Sequence, residues 1–549
     1  MLGISIRAGS LYGVSAVNDR VDVMQFFTSH ILTELQDTNH SARPMVKASA
    51  IKFAWTFRNQ FTKAHIASLM PLLISHLSSP SVVVHTYSAA AIEKFLTCKE
   101  TTPSSGPMAA ANTSNKVKFD GNDLRPFLES LFPPLFAIVD NQEWNENEYV
   151  MKCIMRSLST AREEIFQAAD MVLQKMNEAL FVVAKNPRNP QYNHFLFESI
   201  AILVKSVCSN HPENVTSFEE LLFPPFQTVL QMDVSEFTPY VFQILAQLLE
   251  YRPANSGLGN SYTALFTPLL TPSLWDSKGN VPALTRLLQA YLLKGASDIV
   301  ANNQLNPILG IFQKLLASKA TEIGAFELLG AITLYVPMTA LEPMIGQIFL
   351  LLFKRLQGGK TIRYVRLLTG YFAQFIGQFG SQKWFSLLDT IQPGLGNMII
   401  SQVWLPRLAQ DEPVRIEVKT QVVGLTKIVC ETPSLLNDTA GQQILMATLV
   451  ALVQILSTKE AFFGTPTEDF DQTAEIGYDP TFSKLHFASR TVTDPFSEIT
   501  NPVSAFANSL KQAQTTNPAW TQLLQQGSQS DPKFFVSLQG IMQKAGLHI

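Results

Sequence analysis

Few strings in this chain could do chemistry, and the most suggestive is LQGGKTIRY, where Gly359, Lys360 and Thr361 spell the end of a phosphate-binding loop. Such a loop cradles phosphate oxygens on backbone amides and needs a glycine five residues before the second one, with a strand leading in. That position is Lys354 and an apolar helical run precedes it, so the string reads as a tight turn between helices. GLGN at 257–260 lacks the third glycine of a dinucleotide fingerprint, and no GxSxG turn is present. The nine histidines are dispersed, without HExxH or a histidine pair backed by a carboxylate at helical spacing. His85 in VVVHTYSAAA and His194 in NHFLFES sit among apolar residues and read as packed core groups. Cys98, Cys153, Cys208 and Cys430 lie far apart with no CxxC, and read as small apolar fillers in a reducing compartment. The expectation is a protein that is not an enzyme and takes no cofactor or metal.

One constellation remains. The segment 460–480, EAFFGTPTEDFDQTAEIGYDP, has six acids and no Lys or Arg, with Phe462, Phe463, Phe470 and Tyr478 interspersed. Carboxylates without counter-ions repel one another and favour a basic partner surface, while the aromatics offer apolar contact. From local charge, Glu468, Asp469 and Asp471 are the candidate partner-binding residues. The alternative is a solvated loop whose charges aid solubility.

The elements around these strings are helices. In FTPYVFQILAQLLE, Val241, Ile244, Leu245 and Leu248 fall at i, i+3, i+4 and i+7; Leu284, Leu287, Leu288, Tyr291 and Leu292 repeat the pattern. No sustained period-2 alternation bounded by hairpin turns appears, so no substantial sheet is expected. A proline followed by apolar residues recurs at Pro71, Pro134, Pro225, Pro268, Pro307 and Pro343. From Pro225 the steps are 43, 39 and 36 residues, and Pro134 to Pro225 is 91, two units with an unmarked one (MVLQKMNEALFVV) between. This spacing is close to the roughly 40–47 residues of HEAT and armadillo units. The first step, 63, fits if the polar stretch from Glu100 to Phe119 is an insertion.

The charged share is only 15%, so most elements must bury apolar surface, as stacked helix pairs do. The expected fold is all-α, an α-solenoid of antiparallel HEAT-type helix pairs over 1–458 with a flexible loop near 100–119. An acidic loop at 459–484 and capping helices over 485–549, roughly 501–514 and 519–547, complete it. A net charge of -3 offers no field to draw nucleic acid or an anionic membrane surface. The longest nearly charge-free runs, such as ILMATLVALVQIL at 444–456, fall short of the roughly 20 residues of a bilayer span. MLGISIRAGSLYG lacks the full apolar region of a secretion signal.

Particular strings then point to a family. SPSVVVHTYSAAAIEKF (79–95), ENEYVMKCIMRSLS (146–159), AKNPRNPQYNHFLFES (184–199), EFTPYVFQILAQLLE (236–250), GNVPALTRLLQAYLLKG (279–295), IFQKLLASKA (311–320), QIFLLLFKRLQGGKT (347–361) and GYDPTFSKLHFAS (477–489) resemble, in order, the CAS-type exportins of the importin-β superfamily. The resemblance implies a nuclear transport receptor that carries importin-α from nucleus to cytoplasm with Ran-GTP, shuttling through the nuclear envelope with nucleoporins as further partners. It covers only the C-terminal half of the family's longer chains, so the chain is read as a fragment, short isoform or incomplete gene model in which Ran-GTP binding is weak or lost. A static HEAT scaffold, or a fragment without function, is the alternative.

Overall fold

The computed structural model describes residues 21–101, 113–144, 146–254, 256–410, 416–458, 483–489 and 493–547, with short strands at 5–7 and 15–17. They form two units. The first holds 1–256 together with the returning segment 483–489, and the second holds 257–458 and 493–547.

In unit 1 the longer helices are α1 (Pro44–Thr56), α2 (Lys63–Leu77), α3 (Val82–Leu96), α4 (Leu128–Asp140), α5 (Glu148–Ala161), α6 (Ala169–Lys185), α7 (Pro190–Cys208), α8 (Val215–Gln231) and α9 (Thr238–Tyr251). The odd helices pack on one another in sequence, and so do the even ones, while each even helix also packs on the odd helix that follows it. This makes two layers, A (even) and B (odd), of antiparallel pairs. Unit 2 repeats the plan. Its layer B is α11 (Val281–Ala301), α13 (Glu322–Tyr335), α15 (Ile362–Phe379), α17 (Ile416–Glu431) and α19 (Pro502–Thr516). Its other helices are α10 (Gly259–Leu269), α12 (Leu305–Leu316), α14 (Met338–Gln357), α16 (Ser381–Ile391), α18 (Thr439–Thr458), α20 (Ala519–Ser530) and α21 (Pro532–Lys544). Each unit is therefore an α-solenoid segment, as the periodicity predicts.

Proline sorts the layers. The six marking prolines all fall in layer A: Pro71 in α2, Pro134 in α4, Pro225 in α8, Pro268 in α10, Pro307 in α12 and Pro343 in α14. The unmarked unit is α6, also layer A. Five of the six marking prolines sit inside their helices and Pro307 in the first turn of α12, while layer B takes proline in the first turn, at α1, α7, α9, α11 and α19. There the missing N–H costs no helical bond, whereas an interior proline removes one and bends the helix. Layer B is also tied laterally by glutamines: Gln289 of α11 and Gln374 of α15 both donate to α13, at Glu327 O (2.9 Å) and Gly330 O (2.9 Å). In unit 1 Gln247 of α9 donates to Ala201 O of α7 at 3.1 Å.

Three expectations change. The stretch expected as a loop near 100–119 is bounded by a ribbon in which Lys99–Thr101 pairs antiparallel with Thr113–Val117. Beyond it, Lys118 Nζ donates to Asn59 O (2.8 Å) and Phe61 O (3.0 Å) and Phe119 is buried; residues 102–112 lie outside the described ones. The helix expected over 519–547 is two, because Asp531 precedes Pro532 and leaves the helical conformation (φ -140°, ψ 89°), its carboxylate capping α21 at Phe534 N. The apolar run at 444–456 extends to a 20-residue helix, α18, long and apolar enough by length and composition to span a bilayer. Its Leu445, Leu449, Leu452 and Leu456 are buried and the helix packs on α17 and α21, so it serves as a layer of the array.

Candidate partner-binding surface

The sequence-predicted residues Glu468, Asp469 and Asp471 lie outside the described residues, as do 459–482. The chain is described again from Ser483, and there it lies on unit 1. Residues 483–489, SKLHFAS, run across α7 and α9 with Leu485, Phe487 and Ala488 buried and Lys484, His486 and Ser489 exposed. Inward and outward positions alternate over 484–487, as along extended chain, before the chain bends at His486 and turns at Phe487 and Ala488.

Three side chains of the helices hold its backbone. Gln243 donates from Nε2 to Ser483 O at 2.7 Å and accepts from Leu485 N at 2.9 Å. Glu198 accepts from His486 N at 2.5 Å through Oε1 and from Phe487 N at 3.0 Å through Oε2. Gln247 reaches Phe487 O at 3.4 Å. Gln243 and Gln247 stand one turn apart on α9, away from the Val241, Ile244, Leu245 and Leu248 stripe, which is how the helix presents both to one segment. Glu198 is wholly buried, and that burial pushes its carboxyl up to about 7 against the pull of the two amides. On the same helix His194, whose Nδ1 meets Tyr240 Oη at 3.0 Å, lies 3.7 Å from Glu198 and is pushed down to about 4 by burial.

His194 and Glu198 are thus a histidine and a carboxylate at i, i+4, a pairing missed by a search for paired histidines. Their burial leaves no room to work on a solute. His85 is likewise packed, its Nδ1 at 3.1 Å from Ser79 O and its ring against Trp144. All four cysteines are free, and burial raises each thiol, Cys208 to about 12. Among the described residues no cluster of His, Cys, Asp or Glu could hold a metal ion.

The Gly359–Lys360–Thr361 string is a helix-to-helix turn. Thr361 caps α15 by accepting from Tyr364 N, and Arg355 donates to Gly359 O at 3.0 Å while its guanidinium lies 4.8 Å over the Tyr364 ring. Arg355 and Arg363, on either side of the turn, both bind the buried Glu322 at the start of α13, at 2.8 and 3.0 Å. The string that resembles a phosphate loop is the turn whose flanking arginines tie one repeat to the next.

Exposed apolar side chains gather at the starts of three successive layer B helices: Met45 and Val46 on α1, Val82 and Val83 on α3, and Tyr149 on α5. Trp55, near the end of α1, stacks on Tyr87 of α3 with centroids 5.2 Å apart, and Asn147 Nδ2 at the start of α5 donates to Thr86 Oγ1 of α3 at 2.7 Å. A row of apolar positions on rigid helix ends, among polar neighbours, suits contact with another protein. In unit 2 an open groove of about 600 Å³ is lined by Leu270, Pro307, Ile311 and Lys314, with Lys314 already paired to Asp276. It offers shape for docking and no chemistry.

Comparison with known proteins agrees with this picture. The family model described as "CAS/CSE protein, C-terminus" matches residues 108–535, and the model "Cse1" matches 2–92. Exportin-2 of Danio rerio is 36% identical over 511 residues, 92% of this chain and 51% of the relative. Exportin-2 of Xenopus laevis is 37% identical and that of Homo sapiens 36%, with the same coverage. The solved structure of the exportin Cse1 in its cargo-free, cytoplasmic state superimposes with a TM-score of 0.78 and 29% identity, over 98% of this chain and 53% of that one. A structure of Kap95p with RanGDP, 12% identical, shares the fold at a TM-score of 0.51, over 82% of this chain and 55% of that one. The chain spans about half the length of the relatives it matches.

Proposed function

The chain belongs to the CAS/CSE protein family, and on that premise we propose that it works as a karyopherin-type nuclear export receptor, binding importin-α as cargo in the company of Ran-GTP. The supporting observation is the family match over 2–92 and 108–535 together with 29% identity to the cargo-free exportin across nearly the whole chain. The physical role that a helix array can play is binding. Layer B presents rigid helix ends to a partner, and small changes between neighbouring repeats add up along the stack. Two proteins that each favour the same curvature then bind cooperatively, a coupling free energy between sites. The receptor itself needs no catalytic group, and nucleotide hydrolysis on Ran would release the cargo. Such a receptor shuttles between nucleus and cytoplasm and crosses the nuclear envelope in transit, meeting nucleoporins there. The acidic segment with Glu468, Asp469 and Asp471 is proposed as a docking site for a basic partner surface.

Immobilised chain is challenged with importin-α and Ran loaded with GTP or GDP. Importin-α retained more strongly with Ran-GTP than with Ran-GDP supports the reading. For residues 1–549 by themselves, the expected dependence is weaker than that of a full-length receptor, because cooperativity needs both partners on one continuous body. No importin-α retained under either nucleotide overturns the proposal in favour of a static scaffold. Neutralising Glu468, Asp469 and Asp471 together with no change in any partner removes the acidic segment from it.

A further inference from the structure

Helices α7 and α9 are buried on nearly all sides, from Tyr192 to Val204 and from Thr238 to Leu249. α5 is buried in the same way from Val150 to Ala161, whereas α1 keeps a face in solvent at Met45, Ser49 and Lys52. In its described part, the cover over α7 and α9 is residues 483–489.

The way this cover is held has the character of ligand recognition. Five main-chain groups, Ser483 O, Leu485 N, His486 N, Phe487 N and Phe487 O, meet side chains of the cleft. Gln243 both donates and accepts, as the peptide group of a neighbouring strand would. These contacts read backbone and not side chains. Selectivity comes from the seats of Leu485, Phe487 and Ala488, while Lys484, His486 and Ser489 are exposed. The turn that ends the segment is self-contained, Ser489 donating to His486 O through N at 3.1 Å and through Oγ.

Magnitudes favour exchange over permanence. Three buried side chains and five hydrogen bonds must offset the ordering of seven residues and the desolvation of the Glu198 carboxylate, so the seat is close to balance. The segment's covalent attachment supplies the local concentration that keeps it in place. We propose that the cleft of Glu198, Gln243 and Gln247 is a peptide-binding site, filled in cis by residues 483–489. It can exchange that occupant for an extended segment of another protein carrying leucine and phenylalanine two residues apart, followed by a small residue. This site does not depend on the transport reading, since its contacts are complete within unit 1.

The probe is a fluorescein-labelled peptide of residues 482–490, titrated by anisotropy against the full chain. Phe487→Asp, which prevents the resident segment from seating, is expected to bind it at least about tenfold more tightly than the unmodified chain. Adding Gln243→Ala should return the affinity to the unmodified level. A peptide with aspartate at the leucine and phenylalanine positions should not bind. Native-state hydrogen exchange on the unmodified chain gives an independent reading: the amides of Leu485, His486 and Phe487 should exchange faster than the slowest amides of α7. A folded Phe487→Asp chain that ignores the peptide, or binds the aspartate version equally, overturns the proposal. If that variant does not fold, exchange decides. Amides of the segment that open only with the slowest of α7 make it permanent core and overturn the proposal too.

Discussion

A Cβ placed on Gly424 would stand 2.6 Å from the Cα of Ala373 and 2.8 Å from its carbonyl oxygen, so α15 and α17 meet backbone to backbone. Alanine there gains about 1 kcal/mol in helix propensity but forces two backbones apart, which costs more, about 1–3 kcal/mol. Gly424→Ala should lower the melting temperature. Gly310→Ala, on α12 where an added Cβ meets nothing within 4 Å, should raise stability by about 0.5–1 kcal/mol. Calorimetry of the two variants beside the parent checks the opposite signs.

Glu322 is fully buried and held by two arginines, of which Arg355 is 12% and Arg363 54% exposed. Removing the buried partner strands a charge, whereas an exposed one is replaced by water. Arg355→Ala should cost about 3 kcal/mol and Arg363→Ala about 1 or less. Urea unfolding of the two variants gives the ratio, and equal losses would contradict it.

Glu198 binds its proton more tightly folded, at about 7, than at the ordinary 4.5, so its contribution to stability falls as pH rises between those values. His194, lowered from 6.5 to about 4, works the other way: its contribution rises with pH over that window. Glu198→Gln keeps the histidine and removes the carboxylate. The variant sacrifices one amide contact at every pH. Its stability relative to the parent should nonetheless climb from pH 4.5 to 8 by up to about 3 kcal/mol. Melting curves of both chains at four pH values test the slope.

The apolar helix starts of α1, α3 and α5 should matter for binding and not for folding. Val82→Glu combined with Tyr149→Ala is expected to weaken retention of importin-α about tenfold with an unchanged melting temperature. The paired pull-down and thermal scan separate a contact role from a structural one. Retention equal to that of the parent would exclude this row from the interface.

What could be read along the sequence depended on how far apart the interacting residues lie. Layer A helices announced themselves because each proline acts on its own turn, and α6 without such a mark was still recovered from spacing. The GKT turn was legible because the missing glycine at Lys354 is local information. The division at Asp531–Pro532 was written in the sequence as well, in the extended bias of a residue before proline, but the apolar period on both sides concealed it. The Glu198 cleft was illegible in principle. Gln243 and Gln247 look like the solvent side of an amphipathic helix, and nothing near them reports that SKLHFAS, some 240 residues on, covers them. For the partner residues the sequence offered charge alone, and Glu468, Asp469 and Asp471 fall outside the described part.

The distance from Gln243 to its partner Ser483 has a meaning for biosynthesis. At about 5–20 residues per second, a ribosome needs on the order of 10–50 s to make the intervening chain. For that interval α7 and α9 emerge with an apolar trough and a bare carboxylate that no native segment can yet cover. Only the arrival of Leu485 and Phe487 completes the burial of these two helices.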